Sequence, residues 1–159
     1  MKTRIRAISN LHQSLYQVGN YSFINLSKYL EMIKRDILLL LQNDKKIEFK
    51  LLIPDSVTVT THEALPIGLI THEFITNSLK YAFTDKTVGS IKIEWKKEQN
   101  KNFFILQDDG IGCENIETIK GSSLGLELIR LLIKQLNGKA AWNSSIGLTL
   151  TIQLERKQD

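Results

Sequence analysis

Apolar and polar positions follow two different periods along this chain, and the change from one to the other marks its organisation. Ile5, Ile8, Leu11, Leu15 and Val18 recur at helical spacing, which predicts an amphipathic helix over 3–17, broken by Gly19-Asn20. A second helix is expected from an Asn25 N-cap to about Leu41, with Leu26, Tyr29, Leu30, Ile33, Ile37 and Leu41 as its apolar stripe. The period then becomes two. Ile47, Phe49, Leu51 and Ile53 alternate with Lys46, Glu48 and Lys50, as in a half-buried strand. Pro54-Asp55 signals a turn and 57–59 a short strand. A third helix is expected from about His62 or Pro66 to Ala82, with Pro66 suited to its first turn. Ile91, Ile93 and Trp95 alternate with Lys92, Glu94 and Lys96, residues 99–102 read as a hairpin turn, and 103–107 form an apolar strand that runs into Asp108-Asp109-Gly110. Residues 112–122 read as loop. Leu124 to Leu136 reads as a helix stopped by Asn137-Gly138, and strands at about 139–144 and 147–155 close the chain.

Helices therefore fill the first 41 residues and an α+β layout rich in strands follows, with a boundary expected near 18–24. At 159 residues the chain suits one domain with an appendage, and its 42% hydrophobic and 24% charged residues are ordinary for a globular protein. The single Cys113 can form no internal disulfide, and no apolar run approaches the ~20 residues of a membrane-crossing helix. The start of the chain lacks the apolar segment of a signal peptide, so a reduced, cytoplasmic setting is expected. A net charge of +4 is spread over lysines that alternate with apolar residues, the pattern of a solvated sheet face, and no nucleic-acid partner is expected from it.

Three stretches carry candidate chemistry. In His72-Glu73-Phe74-Ile75-Thr76-Asn77-Ser78-Leu79-Lys80-Tyr81, helical spacing puts Glu73, Asn77 and Lys80 or Tyr81 on one face. Leu65, Leu69, Thr76 and Leu79 lie toward another face, which would pack on the sheet. A carboxylate and an amide oxygen one turn apart suit Mg²⁺, which takes one or two protein oxygens alongside substrate phosphates. Lys80 could reach a phosphate and Tyr81 could lie against a base; a plain surface stripe is the alternative. In Asp108-Asp109-Gly110-Ile111-Gly112, a carboxylate ends an apolar strand, where it is costly unless hydrogen-bonded or turned to a ligand. Such a carboxylate can accept from an adenine amino group, although acidic glycine turns are also common without a ligand. Gly121-Ser122-Ser123-Leu124-Gly125-Leu126 opens a helix, where free N–H groups and the helix dipole favour an anion; a capping serine and a packing glycine are the plain alternative. The chain has neither a Walker-type phosphate loop nor a dinucleotide glycine motif. No histidine pair has zinc spacing, and no Ser-His-Asp arrangement is visible.

In this order the three stretches resemble the N box and the two glycine boxes of two-component sensor histidine kinases, within the ATPase superfamily shared with Hsp90, MutL and type II topoisomerases. The resemblance covers about residues 45–155, and residues 4–16 resemble the end of the dimerisation hairpin in a subgroup related to the HWE kinases. The resemblance implies a Bergerat-type ATP-binding fold: an α/β two-layer sandwich with a mixed, mainly antiparallel sheet and helices on one face, preceded by an N-terminal helix. It implies a dimerisation-helix remnant over 1–20 and a catalytic ATP-binding domain over 21–159, with ATP and Mg²⁺ as cofactors. Asn77 would ligate Mg²⁺ with Glu73 in support; Lys80 would contact phosphate, and Tyr81 would line the adenine pocket. Asp108 would read adenine, Gly110 and Gly112 would shape its pocket, and Gly121, Ser122, Leu124, Gly125 and Leu126 would hold lid and phosphates. Gly147 and Thr149 resemble the last glycine box. Partners implied are a response-regulator receiver domain, the phosphoacceptor helices of a parent kinase, and a second copy through residues 3–18.

The chain departs from the family pattern in three places. Its lid is short and lacks a phenylalanine box, Ser123 stands where glycine is common, and Trp95-Lys96-Lys97-Glu98 is out of step with the tryptophan–glutamate pair of strict HWE kinases. His12 falls on the second helix of the hairpin, whereas the family's acceptor lies on the first, so the acceptor is expected outside this chain. Two further readings stay open: an ATP hydrolase or ATP-gated clamp with Glu73 as general base, and a non-catalytic interaction module.

Overall fold

The computed structural model describes Ser9, Gln13 and residues 23–40, 45–114 and 124–155. Ser9 and Gln13 are helical; the rest of the helix predicted over 3–17, His12, residues 18–22 of the boundary expected near 18–24, Leu41 and Gly121-Ser122-Ser123 lie outside the described residues. Among those described, the order is β1 (Phe23–Asn25), α1 (Leu26–Leu40), β2 (Lys46–Leu52), β3 (Thr58–Thr60), α2 (Thr61–Asn77) continued by a π-helical turn (Ser78–Ala82), β4 (Val88–Glu98), β5 (Lys101–Asp108), α3 (Leu124–Gln135), β6 (Lys139–Asn143) and β7 (Thr149–Leu154).

The main sheet has the strand order β2-β4-β5-β7-β6, with β2 and β4 parallel and the other neighbours antiparallel; β1 and β3 pair separately. This is the expected mixed, mainly antiparallel sheet. Its period-two pattern resolves into one covered face. Ile93, Leu106 and Leu150 are register partners and all buried, as are Trp95, Phe104 and Ile152. The residues between them, such as Lys92, Glu94, Ile105 and Thr151, are only half-buried, so the helices cover one side. The α1 stripe is as the spacing predicts: Leu26, Tyr29, Leu30, Ile33 and Ile37 are buried in the common core, and Asn25 Oδ1 caps the helix by accepting from the Lys28 N–H at 2.9 Å.

Helix α2 differs from its sequence reading at both ends. It starts at Thr61, so Pro66 lies in its interior rather than in its first turn. The reason is a capping box one turn earlier: the Glu63 N–H donates to Thr60 Oγ1 at 3.3 Å, and the Thr60 N–H donates to Glu63 Oε2 at 2.8 Å. At its other end the α-helix gives way at Ser78 to a π turn, whose i→i+5 bonding carries more residues per turn. Side chains beyond Asn77 therefore leave the face that α-helical spacing assigns to them. A smaller difference ends α3, where the positive φ of 52° falls on Asn137, and the Gly138 N–H donates to the Ile133 carbonyl at 3.0 Å. Among the described residues no helix is long and apolar enough to cross a membrane.

Candidate functional site

One end of the covered sheet face opens into a cavity of about 400 Å³. Four parts of the chain line it: Phe74, Asn77, Ser78, Tyr81 and Ala82 from α2 and its π turn; Asp108, Ile111, Gly112 and Cys113 from the end of β5 and the loop after it; Leu126 and Ile129 from α3; and Trp142 from β6 with Leu148 just before β7. The wall is mostly apolar, with a few polar groups brought together, as in small-molecule sites generally.

Asp108 is the group whose burial demands an explanation. It is 2% exposed. The N–H groups of Gly110 and Leu148 donate to its Oδ1 at 3.0 and 3.1 Å, and the Ser78 hydroxyl donates to its Oδ2 at 2.8 Å. A carboxylate offers about four acceptor positions, so among the described residues these three donors leave one, on Oδ2. A mostly apolar cavity with a carboxylate at its floor suits a ligand that has an N–H to give.

The turn that carries Asp108 is held on all sides. Ile111 N–H donates to the Ala82 carbonyl at 2.9 Å, which ties the loop to the π turn. Asp109 Oδ1 accepts from the Ser90 N–H at 2.7 Å, and its carbonyl accepts from Lys86 Nζ at 2.6 Å. The Cys113 N–H donates to Ser144 Oγ at 2.6 Å. Two glycines make these approaches sterically feasible. A Cβ at Gly110 would meet the Ala82 carbonyl oxygen at 2.3 Å, and one at Gly147, where φ is +65°, would lie 2.0 Å from the Asp108 carbonyl oxygen. No other residue type fits either position without moving the floor of the cavity.

Asn77, Tyr81, Asp108, Gly112 and Leu126 are thus brought together as the spacing suggests. Gly110 and Gly147 act from behind the wall. Lys80 is exposed and does not line the cavity, because the π turn rotates it away while leaving Tyr81 on the rim. Glu73 is 4% exposed and also outside the lining. Leu124 is 62% exposed, Gly125 is buried in the first turn of α3, and Thr149 sits on the uncovered sheet face; none of the three lines the cavity. Ser78, Ile111, Cys113, Ile129, Trp142 and Leu148 were not singled out by sequence. For Ser78 a signal existed, a hydroxyl inside an apolar run beside Asn77; for Trp142 and Leu148 it did not, since only strand order brings them here.

Among the described residues no group of three or more His, Cys, Asp or Glu could hold a metal. Among the oxygens lining the cavity is the Asn77 amide oxygen, a donor of the kind that would serve a Mg²⁺ ion drawing its other ligands from phosphates and water.

The profile of the histidine kinase-, DNA gyrase B- and HSP90-like ATPases matches residues 62–158, from the start of α2 to beyond β7, and so takes in every residue lining the cavity. This chain belongs to that ATPase family. Membership implies ATP binding, and the family match runs through Asn77, Asp108 and Gly147. A second profile, described as histidine kinase, matches residues 1–41. Among individual proteins, the chain is 31% identical over 100 residues to the blue-light-activated histidine kinase 2 of Erythrobacter litoralis (strain HTCC2594), covering 62% of this chain and 28% of that one. The chain therefore spans under a third of this curated relative. In solved structures it resembles the histidine kinase domain of the Erythrobacter litoralis EL346 blue-light activated histidine kinase, with a TM-score of 0.78, 23% identity, and coverage of 96% of this chain and 72% of that one. It also resembles the Acinetobacter baumannii histidine kinase AdeS, with a TM-score of 0.68, 16% identity, and coverage of 98% and 77%. At these identities the structural likeness establishes the fold of the ATPase domain.

Proposed function

We propose that this chain is the MgATP-binding catalytic part of a sensor histidine kinase, which delivers the γ-phosphate to a histidine on a dimerisation helix and from there serves a response-regulator receiver domain. The observation that carries the reading is the buried Asp108 carboxylate at the floor of an apolar cavity, held by three donors among the described residues, which leave one acceptor position for an adenine amino group. In this reading Tyr81, Ile111 and Gly112 flank the base, and Asn77 holds the cation that neutralises phosphate charge. Lys80, exposed next to the rim, meets phosphate only if the triphosphate leaves the cavity on that side. Phosphoryl transfer needs little from the protein beyond positioning and charge neutralisation, and the fixed floor supplies the positioning.

The acceptor is proposed to be none of the three histidines of this chain. His62 stands exposed in the first turn of α2, and His72 lies within the same helix that forms the cavity wall. A hydrolase with Glu73 as general base is disfavoured, since that carboxylate is buried and off the cavity wall. Titration of a fluorescent ATP analogue with and without Mg²⁺ tests the nucleotide reading, and saturable, Mg²⁺-enhanced binding is expected. Incubation with radiolabelled ATP tests the acceptor assignment; acid-labile label on the chain itself would overturn it.

A further inference from the structure

Of the two tryptophans in the chain, Trp95 is 6% exposed and packs on Phe104 with ring centroids 6.1 Å apart, away from the cavity. Trp142 differs. It lies on the short edge strand β6, opposite Leu150 of β7, and its half-buried indole forms part of the cavity wall. Leu150 and Ile152 beside it on β7 are fully buried, so the surface left on the indole is not a general property of this sheet face.

Three connections put Trp142 at the Asp108 end of the cavity. Leu148, whose N–H holds Asp108 Oδ1, lies two residues before the cross-strand partner of Trp142. Ser144, two residues after Trp142, accepts from the N–H of Cys113, which also lines the cavity. In the sheet, β6 is separated from the strand of Asp108 only by β7. Neighbouring strands are ~4.8 Å apart, so the lateral separation is roughly 10 Å. That gap suits a bicyclic base hydrogen-bonded to the carboxylate at one end. An indole offers such a base a planar apolar face, with little rotamer entropy to lose.

We propose that Trp142 is a base-contacting residue of this cavity, its indole lying against the purine whose amino group Asp108 accepts; the inference rests on the nucleotide reading above. The test uses the whole chain carrying Trp95→Phe, which leaves Trp142 as the one fluorescent indole. Saturating ADP, its binding followed independently by calorimetry, is expected to change the intensity or position of the emission. Trp142→Ala is expected to weaken ADP and ATP by one common factor, about 5- to 150-fold, because the contact is with the base and not the phosphates. Trp142→Phe keeps a ring and is expected to lose less. An emission indifferent to bound ADP overturns the proposal, and this readout needs no substitution at the site. So does a Trp142→Ala chain that binds ADP with unchanged affinity. If ADP fails to bind the unsubstituted chain, the nucleotide reading itself falls and this inference with it; binding with a silent Trp142 defeats the inference alone.

Discussion

Replacing Asp108 by asparagine separates what the carboxylate does for the fold from what it does for the ligand. The side chain keeps its shape. Its remaining oxygen can stay where Oδ1 accepts from the Gly110 and Leu148 N–H groups, which puts the new NH₂ at the Oδ2 position. There the Ser78 hydroxyl, now 2.8 Å from Oδ2, can reverse and accept. The stability cost is therefore expected to be small, about 1 kcal/mol. The ligand sees the opposite of what it saw before: a donor faces its amino group where an acceptor had been. Losing a charge-assisted hydrogen bond costs ~1.5–3 kcal/mol, or about 10- to 150-fold in affinity. Discrimination against ITP, whose ring carries a carbonyl in place of the amino group, is expected to shrink or reverse. Asp108→Ala behaves differently, because it strands all three donors at once. With the cavity admitting some water, about 1 kcal/mol for each gives ~3 kcal/mol, or about 6–12 °C in Tm for a chain of this size. Competition calorimetry with ATP and ITP, paired with thermal unfolding of both variants, reads every term. An asparagine variant that binds ATP as well as the parent would refute the assignment of Asp108 to the base. An alanine variant as stable as the parent would refute the hydrogen-bond accounting.

Three other substitutions probe separate parts of the structure. Asn77→Ala should abolish the Mg²⁺ enhancement of nucleotide affinity while leaving Mg²⁺-free binding near its original level, as measured by titration with and without the ion. Gly147→Ala should cost at least ~2 kcal/mol in denaturant unfolding and also weaken nucleotide binding, since the methyl group is strained at φ +65° and lies 2.0 Å from the Asp108 carbonyl oxygen. Tyr29→Phe should stabilise the chain by about 1–2 kcal/mol, because the Tyr29 hydroxyl, packed against Gly68, is buried without a hydrogen-bond partner among the described residues. Burial also raises the pKa of this phenol from 10.0, so the native state keeps a proton that the unfolded state releases. Its contribution is complete below pH 10 and falls by about 1.4 kcal/mol per pH unit above it, a loss that Tyr29→Phe should remove.

The chain's local chemistry was legible where short-range forces decide the outcome. The α1 stripe and its Asn25 cap, the alternation of β4 and β5, and an aspartate closing an apolar strand all depend on residues within a few positions of one another. Asn77 stood out as a residue ill-suited to a helix interior, Asp108 as a charge closing an apolar strand, and Gly110 and Gly112 as the glycines of the turn after it, whereas Gly147 stood out only through the family resemblance. What the pattern could not supply was the neighbourhood. The π turn after Asn77 shifts the helix register by less than any periodicity can reveal, yet it sends Lys80 to solvent and brings Ser78 to the Asp108 carboxylate. Trp142 and Leu148 become cavity wall only because β7 inserts between β5 and β6, a choice of strand order made by long-range pairing. How the Asp108 carboxylate is held follows from three donors, two of them 30 and 40 residues away in the chain. Burial of a charge and the geometry of its partners are properties of the assembled core, and one dimension does not hold them.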